Sequence, residues 1–285
     1  PLLFIIVFKF LPLLGLSIAF MDYNPVQGFT GSEFVGLDVF KEIFSSPVFY
    51  KALRNTLILN VLDLVCGFPM PIILAIMLNE ITCKWYKKLT QTLLYLPHFL
   101  SWVIIAGIAY QLFSPSTGIV NIIIGQLTGQ DGSALIPFLT EKWHWAIMYI
   151  LLGVWQGMGW GTIIYLAAIT GINSDLYEAA AIDGAGRWGK IWHVTLPGIK
   201  PTIVVMLIMA LGRLMGSNFE RVNVLSNTNV TDFSEVLATY IYRIGLKSNK
   251  FNISTAVGLF QSLVGLVLVL LSDKAAKALG EGGLV

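Results

Sequence analysis

The sequence predicts an all-α, polytopic membrane protein with about six transmembrane helices, and three observations support this. Hydrophobic residues make up 56% of the 285 residues, only 12% are charged, and the mean hydropathy is +0.76. Soluble domains average about 25% charged residues, so half that fraction indicates a lipid-embedded chain. A membrane crossing needs about 20 apolar residues. We therefore expect one transmembrane domain over residues 1–285.

Six apolar segments account for these spans. In chain order they are Leu2–Phe20, Leu57–Leu78, Thr92–Phe113, Trp145–Ala168, Thr202–Gly216 and Phe251–Leu271. The fifth is the shortest, and we expect its helix to extend to about Phe219. Prolines inside the segments are compatible with spanning helices, because neighbouring helices can satisfy the freed backbone groups. The chain begins at Pro1 rather than at a methionine, so we expect it to be trimmed.

The basic residues predict the orientation of the spans. The connectors Asn79–Gln91 and Thr170–Lys200 and the C-terminal tail carry them at a higher density than the three alternate connectors. Because cytoplasmic loops are enriched in Lys and Arg, we expect these connectors and both termini on the cytoplasmic side. In the outer connector 114–144, Ile119–Leu127 is apolar but too short to span. We expect an interfacial helix there, with a re-entrant segment as the alternative.

Composition and spacing argue against several function classes. The formal net charge is +2 and the basic residues form no single stripe, so we expect no nucleic-acid partner. The two cysteines, Cys66 and Cys83, indicate no disulfide framework. The histidines, His98, His144 and His193, lie on different segments without ligand spacing, so we expect no metal site. No Ser/His/Asp arrangement is recognisable, and we expect neither catalytic residues nor an enzyme.

The segment Gly184–Lys190 matches two nucleotide-binding patterns incompletely. It reads Gly-x-x-x-x-Gly-Lys, but Ile191 stands where a P-loop needs Ser or Thr for Mg²⁺. It also contains Gly-x-Gly-x-x-Gly, without the preceding strand and βαβ unit that a dinucleotide site requires. We therefore expect this chain to bind no ATP and no other cofactor.

A polar segment at about residues 170–200 predicts a helix–turn–helix elbow. Asn173–Asp175 can cap a helix, and Leu176–Ile182 are mostly good helix formers. Asp183–Gly186 then ends the helix, because glycine tolerates the left-handed conformation. A second short helix is expected over Arg187–Thr195, ended by Leu196-Pro197. An ordinary solvated loop is the alternative.

The spacing within this elbow resembles the EAA loop of binding-protein-dependent ABC import permeases. Glu178-Ala179-Ala180, Gly184 and Leu196-Pro197 match that pattern, and Val194 stands where isoleucine is usual. Further segments resemble carbohydrate-type permeases, most closely those for oligosaccharides and polysaccharide fragments, so that the similarity covers essentially the whole chain. These segments are Tyr165–Ile169, Asp183–Ala185 and Thr239–Gly245.

The resemblance implies the type I ABC importer permease fold and a place in the bacterial cytoplasmic (inner) membrane. It implies a permease subunit of an ATP-driven importer that translocates an oligosaccharide or polysaccharide fragment. The implied partners are a second, related permease subunit in a heterodimer, two ABC ATPase subunits, an extracytoplasmic solute-binding protein and membrane lipid. ATP and Mg²⁺ would bind to the ATPase subunits. Ion-coupled secondary transport, an amino-acid or peptide permease and a structural scaffold are the alternatives.

The resemblance also assigns roles to residues of the elbow. Glu178 would form a charged contact with the ATPase, Ala179 and Ala180 would allow close packing, and Gly184 would make the turn. The expected coupling residues are Glu178, Ala179, Ala180, Asp183, Gly184, Leu196 and Pro197. A rigid elbow would convert nucleotide-driven closure of the ATPase into movement of the membrane helices.

Charged and aromatic residues in or beside the apolar segments are candidates for a substrate pathway. Charges within a bilayer are costly and are often functional, which singles out Asp63 and Arg213, although Arg213 could instead snorkel to water. Indole rings can stack on sugar rings and a carboxamide can bond their hydroxyls, although both indoles could instead face lipid or the core. The expected pathway residues are Asp63, Trp155, Gln156, Trp160, Arg213, Asn218 and Glu220. Gly153, Gly157 and Gly161 predict a strip of close helix packing.

Overall fold

The computed structural model describes residues 2–129, 136–216, 219–278 and 280, and helices dominate this part of the chain. The helices are α1 (Leu2–Phe20), α2 (Gly28–Gly31), α3 (Asp38–Ser45), α4 (Pro47–Gly67), α5 (Pro69–Glu80), α6 (Lys84–Tyr95), α7 (Trp102–Phe113), α8 (Ile119–Thr128), α9 (Lys142–Thr170), α10 (Ser174–Ile182), α11 (Arg187–Gly212), α12 (Phe219–Leu225), α13 (Thr231–Ser234), α14 (Leu237–Tyr242) and α15 (Phe251–Ala278). Two short strands, β1 (Met21–Asp22) and β2 (Glu33–Phe34), pair antiparallel.

The membrane-spanning capacity of these helices agrees with the sequence. Within the described ranges five helical stretches are long and apolar enough to cross a membrane: α1, the consecutive α4 and α5, α9, α11 and α15. The pair α6 and α7 adds a sixth if it counts as one bent span. The all-α class with about six spans is therefore confirmed. The short apolar helix expected from Ile119 is present as α8, and it ends at Gly129, which has a φ of +68°.

The chain divides into two compact units. Unit 1 contains Pro1–Asn60 and Arg213–Leu268, and unit 2 contains Val61–Gly212 and Val269–Val285. The single domain expected over residues 1–285 stays a prediction. In unit 1 the core forms among α3, α4, α14 and α15, where Phe49, Ala52 and Leu237 are fully buried. Phe49 contacts Phe260 edge-on, with 5.7 Å between the ring centres.

Polar side chains of α4 hold the segment around α13 in unit 1. The Asn55 carboxamide donates to the carbonyl oxygens of Asp232 and Glu235, at 3.0 Å each. Lys51 forms an ion pair with the Asp232 carboxylate, and this hydrogen bond and charge hold the pKa of Asp232 below its ordinary value. The Thr56 hydroxyl accepts from the backbone N–H of Leu237 at 2.8 Å. Side chains on two consecutive turns of α4 thus hold the segment around α13.

Replacing Thr56 with valine should lower the free energy of unfolding of unit 1, although valine has nearly the same size and shape as threonine. The fully buried hydroxyl is the partner of a backbone N–H, and an unpaired buried donor costs about 1–3 kcal/mol. We expect Thr56→Val to lower the melting temperature of the detergent-solubilised protein by several degrees. Thr255→Val is the matched control, because the Thr255 hydroxyl donates only within its own helix, to Phe251. Equal melting temperatures for the two variants would contradict the assigned bond.

The core of unit 2 forms where α5, α9 and α11 meet. Ala75, Tyr165, Ile169 and Ile199 are buried there together. The Thr162 hydroxyl is also buried and donates to the carbonyl oxygen of Met158 at 2.7 Å. This contact of three helices supports the elbow, because α9 leads into it and α11 leads out of it.

Glycines bring α9 close to its neighbours, but not in the strip expected from the sequence. A side-chain carbon at Gly157 would meet nothing within 4 Å. At Gly161 it would lie 2.9 Å from the Pro71 ring, and at Gly159 it would overlap the carbonyl group of Leu94. The close approach therefore centres on Gly159 and Gly161. Within this chain the expected repeat of every four residues was wrong at Gly157, because no neighbouring atom of the described residues lies close to a side-chain carbon placed there.

The third apolar segment, Thr92–Phe113, is not one straight helix. It consists of α6, the 3₁₀ turn Leu96–Phe99 and α7, and the two helices are bent by 101°. Pro97 lies in the turn and has no N–H to continue the α-helical bonding. The Ser101 hydroxyl then starts α7 by accepting a hydrogen bond from the backbone N–H of Ile104 at 3.4 Å. Proline and serine together break the span that the hydropathy predicted.

Leu196-Pro197 does not end a helix, contrary to expectation. It lies inside α11, which is α-helical over Arg187–Lys190, π-helical over Ile191–Thr195 and α-helical again to its end. The N–H of Leu196 bonds to the carbonyl oxygen of Ile191, five residues back. Proline is tolerated in the first turn of a helical stretch, where its missing N–H is not needed. The second arm of the elbow and the next membrane helix are therefore continuous.

The helix after the elbow ends at Gly212 and does not extend to about Phe219. Glycine is a poor helix former, and the carbonyl groups that follow find partners outside the helix. In unit 1 the carboxamides of Asn60 and Gln261 donate to two carbonyl oxygens of the turn after Gly212, at 2.7 Å each. These long-range hydrogen bonds have no signature in the local sequence.

Candidate functional site: a surface elbow between two membrane helices

The first arm of the elbow is helix α10, which forms as the local sequence predicts. The Asn173 side-chain oxygen accepts from the backbone N–H of Asp175 at 3.0 Å, so Asn173 is the N-cap. Asp175 also places a negative charge in the first turn, where the helix dipole favours it. Glu178 and Ala179 are exposed in the middle of the arm, and Ala180 is half-buried.

The corner of the elbow is a Schellman turn centred on Gly184. The N–H of Ala185 bonds to the Ala180 carbonyl oxygen at 2.8 Å, and the N–H of Gly184 bonds to the Ala181 carbonyl oxygen at 3.1 Å. Gly184 has a φ of +82°, a conformation that L side chains rarely adopt. The helix stop predicted at Asp183–Gly186 is therefore confirmed.

The second arm is the beginning of α11, and it carries basic and aromatic residues. Arg187 lies 3.6 Å from the carboxylate of Glu80, at the end of α5. This pair is largely exposed, so its contribution to stability is small, about 0–1 kcal/mol. Trp188 and Trp192 are one turn apart and are 75% and 63% exposed.

The exposed surface of the elbow is partly apolar, which is unusual for a solvated loop. Ile182 is 87% exposed and Leu176 is 55% exposed, in addition to the two tryptophans of the second arm. Small residues at Ala179 and Ala180 leave room between these larger side chains. Another protein could cover such a surface. A basic group of that protein could then form a directional ion pair with the Glu178 carboxylate.

The expected coupling residues divide into two groups. Five of them lie together on α10 and its corner: Glu178, Ala179, Ala180, Asp183 and Gly184. Leu196 instead packs against the core of unit 2, and Pro197 is exposed on α11. Leu196 thus connects the second arm of the elbow to the core of unit 2. The coupling role of all seven residues stays a prediction.

A second candidate site lies on α9 near the bend between α6 and α7. The Trp160 and His98 rings are stacked, with 4.6 Å between centres and 6° between planes. Phe99 contacts Trp160 edge-on at 6.1 Å. Trp160 remains 46% exposed, so part of its indole is not covered by this chain. From the sequence, His98 was considered only as a metal ligand and rejected, although Pro97 before it was a signal for the turn that brings His98 to Trp160.

The other expected pathway residues are divided between the two units. Trp155 is 38% exposed, and five positions along a helix place it about 140° around α9 from Trp160. Gln156 and Asp63 are half-buried within α9 and α4, in unit 2. Arg213 and Glu220 are exposed in unit 1, and Asn218 lies outside the described residues.

The apolar helices and the elbow between α9 and α11 define a multi-pass membrane protein of the transport-permease class. The family model described as "Binding-protein-dependent transport system inner membrane component" matches residues 67–280. The chain belongs to this family.

Two curated relatives and one solved structure are similar over nearly the whole chain. The Bacillus subtilis (strain 168) protein named "Polygalacturonan/rhamnogalacturonan transport system permease protein YteP" is 45% identical, covering 99% of this chain and 87% of the relative. Protein LplB from the same strain is 42% identical, covering 99% and 88%. A chain of a bacterial alginate ABC transporter, in complex with an alginate pentasaccharide-bound periplasmic protein, has a TM-score of 0.89 and 40% identity, covering 99% and 93%. The fold expected from the resemblance is thus confirmed.

Proposed function

We propose that this chain is a permease subunit of an ATP-driven importer, and that its substrate is an oligosaccharide or polysaccharide fragment carrying uronate groups. The observation that supports the permease role is the elbow, an exposed and partly apolar surface joined without interruption to a membrane helix. The substrate class is supported by the relatives, since polygalacturonan and alginate are both acidic polysaccharides.

The proposed assembly contains this chain, a second and related permease subunit, two ATPase subunits and a solute-binding protein. Nucleotide and Mg²⁺ belong to the ATPase subunits. The density of basic residues supports an orientation with the elbow and both termini in the cytoplasm. ATP-driven closure of the ATPase subunits would move the elbow, and the cavity between the permease subunits would then open to the other side of the membrane.

The proposal is tested by reconstituting the complete transporter in proteoliposomes with its binding protein. We expect uptake of labelled oligogalacturonides or alginate oligosaccharides. This uptake should require ATP on the side of the ATPase subunits and should continue in the presence of a protonophore. Uptake that a protonophore abolishes, and that persists without the ATPase subunits, would show an ion-coupled transporter instead. Uptake of peptides or amino acids in preference to acidic oligosaccharides would overturn the proposed substrate class.

The Trp160 indole should contribute to recognition of the sugar. Removing an exposed ring that can stack on a flat face should cost about 1–2 kcal/mol, or roughly a tenfold rise in the substrate concentration for half-maximal uptake. We expect this for Trp160→Ala and a smaller change for Trp160→Phe. Trp85→Ala removes an indole of α6 that is more exposed, at 73% against 46% for Trp160, and that has no stacked partner ring among the described contacts; it is the control. Identical uptake curves for Trp160→Ala and Trp85→Ala would exclude the role.

A further inference from the structure

A pair of hydroxyl groups links the two arms of the elbow. The Tyr177 hydroxyl on α10 lies 3.1 Å from the Thr195 hydroxyl, which belongs to the π-helical turn of α11. Thr195 is 3% exposed and donates to the Lys190 carbonyl oxygen at 3.4 Å. A threonine hydroxyl has one proton, so the tyrosine must be the donor of the first bond. The order is therefore Tyr177 to Thr195 to the Lys190 carbonyl oxygen.

The π-helical turn creates the place for this link. Its backbone bonds reach five residues back, as in the bond from Leu196 to Ile191, and the turn is wider than an α-helical one. Pro197, just beyond it, has no N–H with which to restore α-helical bonding. The Thr195 hydroxyl reaches the Lys190 carbonyl oxygen from within the turn, and its remaining lone pairs face α10.

Without the link, the elbow would have a weak corner. Between the arms lie Gly184, which the hydrogen bonds of the Schellman turn hold, and then Ala185 and Gly186, where glycine restricts backbone rotation less than any other residue. The ion pair between Arg187 and Glu80 is exposed and cannot hold the angle firmly. The hydroxyl pair adds a hydrogen bond across the open side of the corner, and its Thr195 partner is buried.

We propose that Tyr177 and Thr195 are positioning residues that fix the angle between α10 and α11. They act through Glu178, the next residue along α10, because a rigid angle passes displacement of α10 to the membrane helix. A loose angle would absorb the same displacement by rotation at the glycines. This inference rests on the proposed function, in which α10 meets an ATPase subunit.

The first test measures coupling in the complete transporter, reconstituted with its binding protein. Tyr177→Phe removes the hydroxyl and keeps the ring, so we expect ATP hydrolysis within about twofold of wild type and a roughly tenfold fall in substrate transported per ATP. Thr195→Ser should behave as wild type, since it keeps the hydroxyl. Tyr86→Phe, at a half-exposed tyrosine of α6, is the matched control. An unchanged ratio in Tyr177→Phe overturns the inference.

The second test measures the angle without transport. Spin labels on cysteines at the exposed positions Ala181 and Lys200, with Cys66 and Cys83 replaced by serine, report the distance between α10 and α11. We expect a narrow distance distribution in the complete transporter and a broad one in Tyr177→Phe. Equally narrow distributions overturn the inference even if transport falls. Failure of wild-type transport with a narrow distribution would count against the proposed function alone.

Discussion

Glu178→Lys is expected to abolish ATP-driven uptake and to leave the amount of protein in the membrane unchanged. Glu178 is exposed on α10, and no residue within 2–129, 136–216 or 219–278 forms a salt bridge with its carboxylate. Reversing the charge therefore breaks no bond inside the chain. At an interface with a partner, losing one member of a desolvated charge pair costs about 2–5 kcal/mol, and a like-charge contact costs more.

The measurement compares uptake and ATP hydrolysis in proteoliposomes with the yield of assembled transporter. Glu33→Lys is the matched control, since it makes the same charge reversal at an exposed glutamate of β2. We expect Glu178→Lys to reduce the recovery of ATPase subunits with the permease, and Glu33→Lys to leave that recovery intact. Normal transport by Glu178→Lys, with ATP hydrolysis still dependent on substrate, would contradict the proposal that α10 contacts the ATPase subunit.

Gly159→Ala is expected to prevent normal packing of unit 2. A side-chain carbon there would overlap the Leu94 carbonyl oxygen and lie 2.5 Å from the carbonyl carbon. Both are backbone atoms at the end of α6, so relief requires the helices to separate. Overpacking of this kind costs about 1–3 kcal/mol or more, and each kcal/mol lowers the melting temperature of a chain of this size by about 2–4 °C.

Gly157→Ala provides the matched control two residues away on α9. A side-chain carbon at Gly157 meets nothing within 4 Å, and alanine is the better helix former by about 1 kcal/mol. Its melting temperature should equal or slightly exceed that of wild type. The test compares the melting temperatures of both variants and the wild type, measured by thermal unfolding in detergent. Similar behaviour of the two would mean that α9 does not contact α6 through Gly159.

The elbow was predictable because its signals are local. Asn173 as a cap and Gly184 as the corner act within one or two turns, and each has a preference that sequence alone reveals. The class and the number of spans were predictable from hydropathy for a similar reason. The hydropathy of each apolar segment indicates directly whether that segment can lie in a membrane.

The predictions that were wrong concern segments whose local structure depends on residues far away in the sequence. The end of α11 at Gly212 depends on carboxamides from α4 and α15, and no pattern near Gly212 announces them. The meeting of His98 with Trp160 likewise depends on how α6 packs on α9. In the case of Leu196-Pro197, the proline rule was sound, but the preceding π-helical turn allowed the helix to continue.

The positive φ of Gly184 has a genetic consequence. A single base change in a glycine codon yields alanine, valine, serine, cysteine, arginine, tryptophan, glutamate or aspartate. Of these, aspartate is the residue that tolerates the left-handed region, because its short polar side chain can bond locally. Almost every one-step amino-acid replacement at this codon therefore strains the corner at once. Single amino-acid replacements at the corner therefore cannot change the angle between α10 and α11 gradually. Among descendants of this gene, substitutions should accumulate on the arms of the elbow before they appear at the corner.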